Sequence, residues 1–139
     1  MRLIDMEVPP FMIASAVILA QAQRLFRKLC PVCKTPTAID QSILRANRID
    51  PDFFGSEPIF SPVGCNKCNN VGYRGRGALM EVLPMSDALR EGVMRSATSG
   101  ELRDIGIRGG MVTLKECGLR KVRDGITSLA AALEVTGGD

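Results

Sequence analysis

Two short cysteine pairs constrain this chain more than any other feature. Cys30-Pro31-Val32-Cys33 and Cys65-Asn66-Lys67-Cys68 are both C-x-x-C, with residues 34–64 between them. Two residues between cysteines let a tight turn aim both sulfurs at one centre. Two such turns supply four thiolates to the corners of a tetrahedron. Sulfur-only donor sets select zinc, or less often iron, over hard cations. The intervening loop exceeds the roughly 15–20 residues usual in compact ribbons, but each doubling of a loop adds only about 0.6 kcal/mol of closure entropy. Four protein sulfurs leave no open position for water, so such a metal holds a lobe together rather than catalysing. Cys30, Cys33, Cys65 and Cys68 are the predicted metal ligands, with structural zinc the expected occupant and a 4Fe–4S cluster the alternative.

Other uses of these cysteines fit less well. Four free thiols scattered through a core have no reason to fall into two such pairs. Disulfides need an oxidising compartment. A thioredoxin-type redox pair sits on a helix N-terminus after a strand, whereas both pairs here lie in loop-like sequence. Cys117 stands apart and reads as a small buried residue on a helix.

The stretch 30–73 carries Pro31, Pro36, Pro51, Pro58 and Pro62 with Gly55, Gly64 and Gly72, and few periodic apolar residues. Chain of this kind cannot build its own core and needs a staple. Within it a short helix is predicted over 39–48, with Asp40 as cap and Ile43 and Leu44 on one side. Upstream, Pro9-Pro10 opens a helix predicted over 11–29, because Ile18, Ala22, Leu25 and Leu29 fall on one helical face. Residues 11–20 are apolar almost all round, which predicts burial in a larger body.

Downstream, residues 78–83 read as a short strand stopped by Pro84. Ser86 then caps a helix running to Ser96, with Leu89 and Val93 inward. Thr98-x-x-Glu101 and Thr113-x-x-Glu116 are capping-box patterns for two more helices, ended at Gly109-Gly110 and Gly125. Leu114, Cys117, Gly118 and Val122 form the inner face of the second. A last helix is predicted over 128–135 with Leu129, Ala132 and Leu133 inward, and residues 137–139 read as a frayed tail.

Composition removes whole classes of chemistry. The 139 residues contain no His, which excludes Ser-His-Asp and Cys-His catalysis and every His-ligated metal site from this chain alone. The absence of Trp and a single Tyr leave stacking on nucleic acid poorly supplied. The formal charge is +3; four thiolates around a dication add −2 and take it to +1, far from the basic stripe of a dedicated nucleic-acid binder. No run approaches the roughly 20 apolar residues of a spanning helix; the most apolar, 11–20, is interrupted by Ser15. Asp5 and Glu7 stand where a signal peptide carries basic residues. A cytoplasmic setting with reduced cysteines is therefore expected.

Gly72-Tyr73-Arg74-Gly75-Arg76-Gly77 can offer backbone N–H groups to phosphate. It is not a P-loop, since G-x-x-x-x-G-K-S/T occurs nowhere in the chain. The plainer reading is a turn leading into the strand at Ala78, with the arginines reaching a neighbour or solvent. Lys115, Arg120, Lys121 and Arg123 are interleaved with Glu116 and Asp124 and read as a solvated helix face.

Several stretches together carry a family resemblance. They are Arg2-Leu3-Ile4-Asp5-Met6, Ala22-Gln23-Arg24-Leu25-Phe26-Arg27-Lys28-Leu29-Cys30-Pro31-Val32-Cys33, Gly64-Cys65-Asn66-Lys67-Cys68, Gly72-Tyr73-Arg74-Gly75-Arg76, Gly110-Met111-Val112-Thr113-Leu114 and Gly118-Leu119-Arg120-Lys121-Val122. In this order the chain resembles the C-terminal end of the secretion ATPases, the type II secretion and type IV pilus assembly (extension) enzymes. The pilus retraction ATPases of the same superfamily lack the cysteine pairs.

The resemblance implies an α+β, mostly α fold. Residues 1–29 would be terminal helices of a RecA-like ATPase core, 30–77 a tetracysteine zinc-binding module, and 78–139 a C-terminal helical subdomain. It implies a homo-hexameric parent that hydrolyses ATP with Mg2+. The family's P-loop, acidic boxes and histidine box lie upstream of the matching residues, so no catalytic or nucleotide-binding position carries over. The chain is then a fragment, and the apolar residues 11–20 have lost their packing partner. Implied partners are neighbouring subunits and an inner-membrane platform protein with its secretion or pilus components, which would hold the protein peripherally at the inner membrane. No nucleic acid and no membrane span are expected. The rival reading is a stand-alone zinc ribbon with Lys67, Arg74 and Arg76 on nucleic-acid phosphates, whose affinity would fall steeply with salt. A third is a thiol redox protein.

Overall fold

The computed structural model describes residues 2–137. Met1 and the Gly138-Asp139 end of the predicted tail lie outside the described residues. The fold is α+β and divides into two compact units, each assembled from two separate stretches of chain.

One unit combines Met1–Ala22 with Met80–Thr113. After a single turn, α1 (Arg2–Asp5), helix α2 (Pro10–Ala16) begins on its proline, whose missing N–H costs nothing in a first turn. The helix ends there. Val17 is extended (φ −78°, ψ 124°), and strand β1 follows over Leu19–Leu29. The predicted helix over 11–29 is thus corrected to a helix of seven residues and a strand of eleven. The supposed helical face is not a buried face: Ile18 is 78% and Leu25 51% exposed. Strand β1 pairs with β4 (Tyr73–Pro84), a partner distant in sequence that outweighs local helical periodicity. Strand β4 also starts earlier than the predicted 78–83, so residues 73–77 of the glycine-rich stretch are strand rather than a turn, and only Gly72 precedes it.

Between β1 and the helix that begins at Asp87 the chain runs through the second unit, where it forms α3 (Gln41–Ala46) and two short 3-10 turns. In the first unit, Ser86 caps α4 (Asp87–Met94) by accepting from the Leu89 N–H at 3.2 Å. Thr98 and Glu101 close the predicted capping box of α5 (Ser99–Arg108): the hydroxyl accepts from the Glu101 N–H at 3.3 Å and the carboxylate from the Thr98 N–H at 2.8 Å. Ile13 and Ala14 of α2 pack with Leu89, Val93, Ala97 and Leu102 as the buried core. Arg90 donates to the Ala14 carbonyl and ties α4 to α2. Phe11 and Met12 are exposed, so α2 buries one face rather than its whole circumference.

The other unit combines Gln23–Leu79 with Leu114–Asp139. Strand β2 (Thr35–Thr37) runs antiparallel to β3 (Ile59–Ser61), with Thr35 opposite Ser61 and Thr37 opposite Ile59. Asp40 caps α3 as predicted, accepting from the Ser42 N–H at 2.8 Å. Leu44 is fully buried, whereas its neighbour Ile43 remains 40% exposed. Helices α6 (Leu114–Arg123) and α7 (Leu129–Thr136) close the unit, the latter capped by Ser128. Leu44, Ile49, Phe54 and Ile59 from the loop-rich stretch pack with Leu119, Val122, Leu129 and Ala132 in one core. Burying each large aliphatic side chain stabilises the fold by about 1.5–3 kcal/mol. The loop-rich stretch therefore completes a core that it cannot form alone. Cys117 is only half-buried on α6. Two basic residues of that helix reach other parts of the chain: Lys115 donates to the Asn47 carbonyl, and the Arg123 guanidinium lies 5.5 Å from the centre of the Phe53 ring, while Arg120 pairs with Glu116 at 2.6 Å on the solvent-exposed face.

Candidate metal centre

Each cysteine pair owes its shape to the elements beside it. Cys30 follows directly on β1, and its N–H donates to the Gly72 carbonyl at 3.0 Å. The turn through Cys33 closes with the Lys34 N–H on the Cys30 carbonyl at 3.1 Å. The β2–β3 ladder then returns the chain toward the second pair. Cys68 ends a short 3-10 turn (Asn66–Cys68), after which Asn69 and Asn70 are left-handed and the Asn70 N–H folds back on the Cys65 carbonyl at 2.8 Å.

The result brings all four predicted sulfurs together, within 4.8 Å of one another. Cys30 and Cys65 are 3.9 Å apart, Cys33 and Cys68 3.8 Å, and Cys65 and Cys68 3.8 Å. Sulfurs about 2.3 Å from a tetrahedral zinc stand about 3.8 Å apart, so spacing and donor chemistry both fit such an ion. Cys30 and Cys68 are buried, while Cys33 and Cys65 are half-buried. Cys117, Lys67, Arg74 and Arg76 are not part of the cluster.

Backbone N–H groups point at the sulfurs. Gly64 donates to Cys33 at 3.3 Å, Cys65 to Cys68 at 3.2 Å, and Gly72 to Cys68 at 3.2 Å. Such donors favour the thiolate that a metal requires. Without a cation the sulfurs titrate unequally. Burial pushes the Cys33 thiol up to about 11, with the other three cysteines adding to the rise against the Gly64 N–H. Burial acts the same way on Cys68, but the Cys65 and Gly72 N–H groups, aided by the neighbouring thiols, bring it down to about 6.

Sequence reasoning found the four sulfurs and missed what holds them. Gly64 and Gly72 bracket the second pair, and their positive φ values of 119° and 80° are the signal that a glycine beside a cysteine turn can carry. The connection between α6 and α7 is the other missed element. Ile126 accepts from the Leu29 N–H at 2.8 Å, Thr127 donates to the Arg27 carbonyl at 2.7 Å, and Lys34 donates to the Gly125 carbonyl at 2.7 Å. Tyr73 and Ser128 share a hydroxyl hydrogen bond of 2.7 Å. These contacts fix both strands that carry the cysteine turns.

The chain has clear relatives. Residues 1–134 match the family model described as type II/IV secretion system protein. The type IV pilus assembly ATPase PilB of Myxococcus xanthus (strain DK1622) is 42% identical over 139 residues, covering 99% of this chain and 25% of that protein. The type II secretion system ATPase E of Vibrio cholerae serotype O1 is 40% identical over 137 residues, covering 97% of this chain and 26% of that protein. The PilB of Thermus thermophilus is 36% identical over 135 residues, covering 97% of this chain and 15% of that protein. The chain therefore spans about a quarter or less of the length of these relatives. No helix among the described residues is long and apolar enough to cross a membrane. A family match running through both cysteine turns and both compact units establishes that the chain belongs to the type II/IV secretion system protein family.

Proposed function

We propose that this chain is the non-catalytic, zinc-binding C-terminal part of a hexameric ATPase that powers type II secretion or type IV pilus extension. The observation that carries this reading is a cluster of four sulfurs at tetrahedral spacing inside a chain of this family. In this reading Cys30, Cys33, Cys65 and Cys68 hold one structural Zn2+. Residues 1–29 end a RecA-like core and 30–77 carry the zinc module, whose core is completed by α6 and α7 of the helical segment 78–139. ATP and Mg2+ are bound by the rest of the parent protein, which accords with the lack of any P-loop pattern here. The ion neutralises thiolates that could not otherwise be charged together at this distance, and so fixes the two cysteine turns against each other.

The role assigned to the fragment is structural. It packs against neighbouring subunits of a homo-hexamer and against an inner-membrane platform protein, in the cytoplasm, without contacting nucleic acid. The exposed apolar side chains of Phe11, Met12 and Ile18 are consistent with a surface completed by further protein. The purified chain is expected not to hydrolyse ATP. Turnover by this chain that Cys33→Ser abolishes would overturn the reading. In the full-length protein, Cys33→Ser is expected to remove the metal and reduce both subunit assembly and ATPase turnover; a metal-free variant that assembles and turns over normally would contradict the structural role.

A further inference from the structure

Gly72 opens the glycine- and arginine-rich stretch and supports the cysteine cluster, whereas Arg74 and Gly75 further along it take a position of their own. Arg74 and Gly75 line a recess of about 530 Å³ together with Lys28, Lys34, Asp124 and Gly125. We propose that this recess binds a phosphoryl anion.

Three basic residues line it from three separate stretches: Lys28 on β1, Lys34 after the first cysteine pair, and Arg74 on β4. One carboxylate, Asp124, shares the wall. Their formal sum is +2, the complement of a phosphate monoester dianion. Lys28 and Arg74 make no ion pair or side-chain hydrogen bond among the described residues. Lys34 is held in place instead by neutral groups, its ammonium 2.7 Å from the Gly125 carbonyl oxygen and 4.5 Å from the centre of the Phe60 ring. Two of its three N–H donors remain for a ligand. An unpaired guanidinium offers a planar fork that matches two phosphate oxygens, and a lysine adds a point charge. Clustered cations in a recess also raise the local anion concentration. Gly75 leaves the strand backbone bare at this wall, with no atom within 4 Å of where a Cβ would stand.

Arg76 supplies an internal control. It lies on the same strand, is likewise exposed, and does not line the recess. A built site therefore distinguishes Arg74 from Arg76, whereas a diffuse basic surface does not. The inference does not depend on the ATPase reading, since this chain alone builds the recess.

The metal-loaded chain would be titrated with glycerol 3-phosphate, followed by amide NMR. In parallel it would be sedimented with phosphatidylcholine vesicles with and without phosphatidic acid. The soluble arm identifies a free phosphate ester, and binding only to phosphatidic acid vesicles identifies a lipid headgroup. In whichever arm binds, Arg74→Gln and Lys28→Gln are each expected to weaken binding at least fivefold, and Arg76→Gln less than twofold. Lys28→Arg is expected to retain binding, which separates lost charge from lost fold. Shifts of the Gly75 and Gly125 amides are expected on titration. Equal weakening by Arg74→Gln and Arg76→Gln would overturn the site, as would no binding in either arm at millimolar phosphate.

Discussion

Gly72→Ala sets the strictest local test of how the cysteine turns are held. Gly72 has φ +80°, and a Cβ there would stand 2.6 Å from the Pro62 Cβ and 3.2 Å from both the Pro62 Cα and the Val63 N. Carbon atoms in contact normally sit about 3.5–4.0 Å apart. Two of the three clashing atoms are backbone, so no side-chain rotation relieves them. Left-handed backbone costs a non-glycine residue about 1–2 kcal/mol, and overpacking a fixed site costs about 1–3 kcal/mol more. The expected loss is therefore about 2–5 kcal/mol. Gly75→Ala is the matched control: its φ is +79°, but its Cβ would meet no atom within 4 Å. It should cost only the conformational part, about 1–2 kcal/mol.

Gly72 also donates to Cys68 at 3.2 Å and accepts from Cys30 at 3.0 Å. A backbone shift there moves two sulfurs, so metal affinity should fall about tenfold or more, at about 1.4 kcal/mol per decade. Denaturant unfolding of the metal-loaded chain and chelator competition measure the two effects. Equal losses of stability and metal affinity in both variants would refute the steric argument.

Three further outcomes are expected. In the metal-free chain the Cys33 thiol, raised to about 11 by burial, still holds its proton at neutral pH, whereas Cys68, at about 6, has largely lost its own. Metal binding must expel the Cys33 proton, so affinity should rise with pH from 7 to 9 and fall further below pH 6, where Cys68 too is protonated; calorimetry in buffers of different ionisation enthalpy would read the released proton, and a pH-independent affinity would contradict it. Thr98→Ala removes the hydroxyl half of the α5 capping box and should cost about 1 kcal/mol, lowering the thermal midpoint by about 2–8 °C in differential scanning calorimetry. Cys117→Ser should leave metal content unchanged while Cys33→Ser abolishes tight binding, because Cys117 lies outside the cluster.

The legible parts of this fold were those encoded over a few neighbouring residues. Asp40, Ser86 and Thr98 all accept the N–H bonds expected of helix caps, because capping needs only residues within one turn. The four sulfurs were likewise found by spacing alone. What failed depended on distant chain. Residues 18–29 satisfy a helical period, yet they pair with β4, which no local pattern announces. The loop-rich stretch between the cysteine pairs has too few periodic apolar residues to predict a core, and Leu44, Ile49, Phe54 and Ile59 find one only against α6 and α7. The alternating charges of α6 predict a solvated face; the carbonyl that Lys115 meets and the ring that Arg123 covers come from another part of the chain.

The proposed role stands or falls with a single ion held by Cys30, Cys33, Cys65 and Cys68. X-ray absorption at the zinc edge, combined with metal analysis of the purified chain, tests it most directly. About one zinc per chain is expected, surrounded by four sulfurs at about 2.3 Å. Nitrogen or oxygen in the first shell, or a chain that folds fully and stays metal-free after exhaustive chelation, would contradict it.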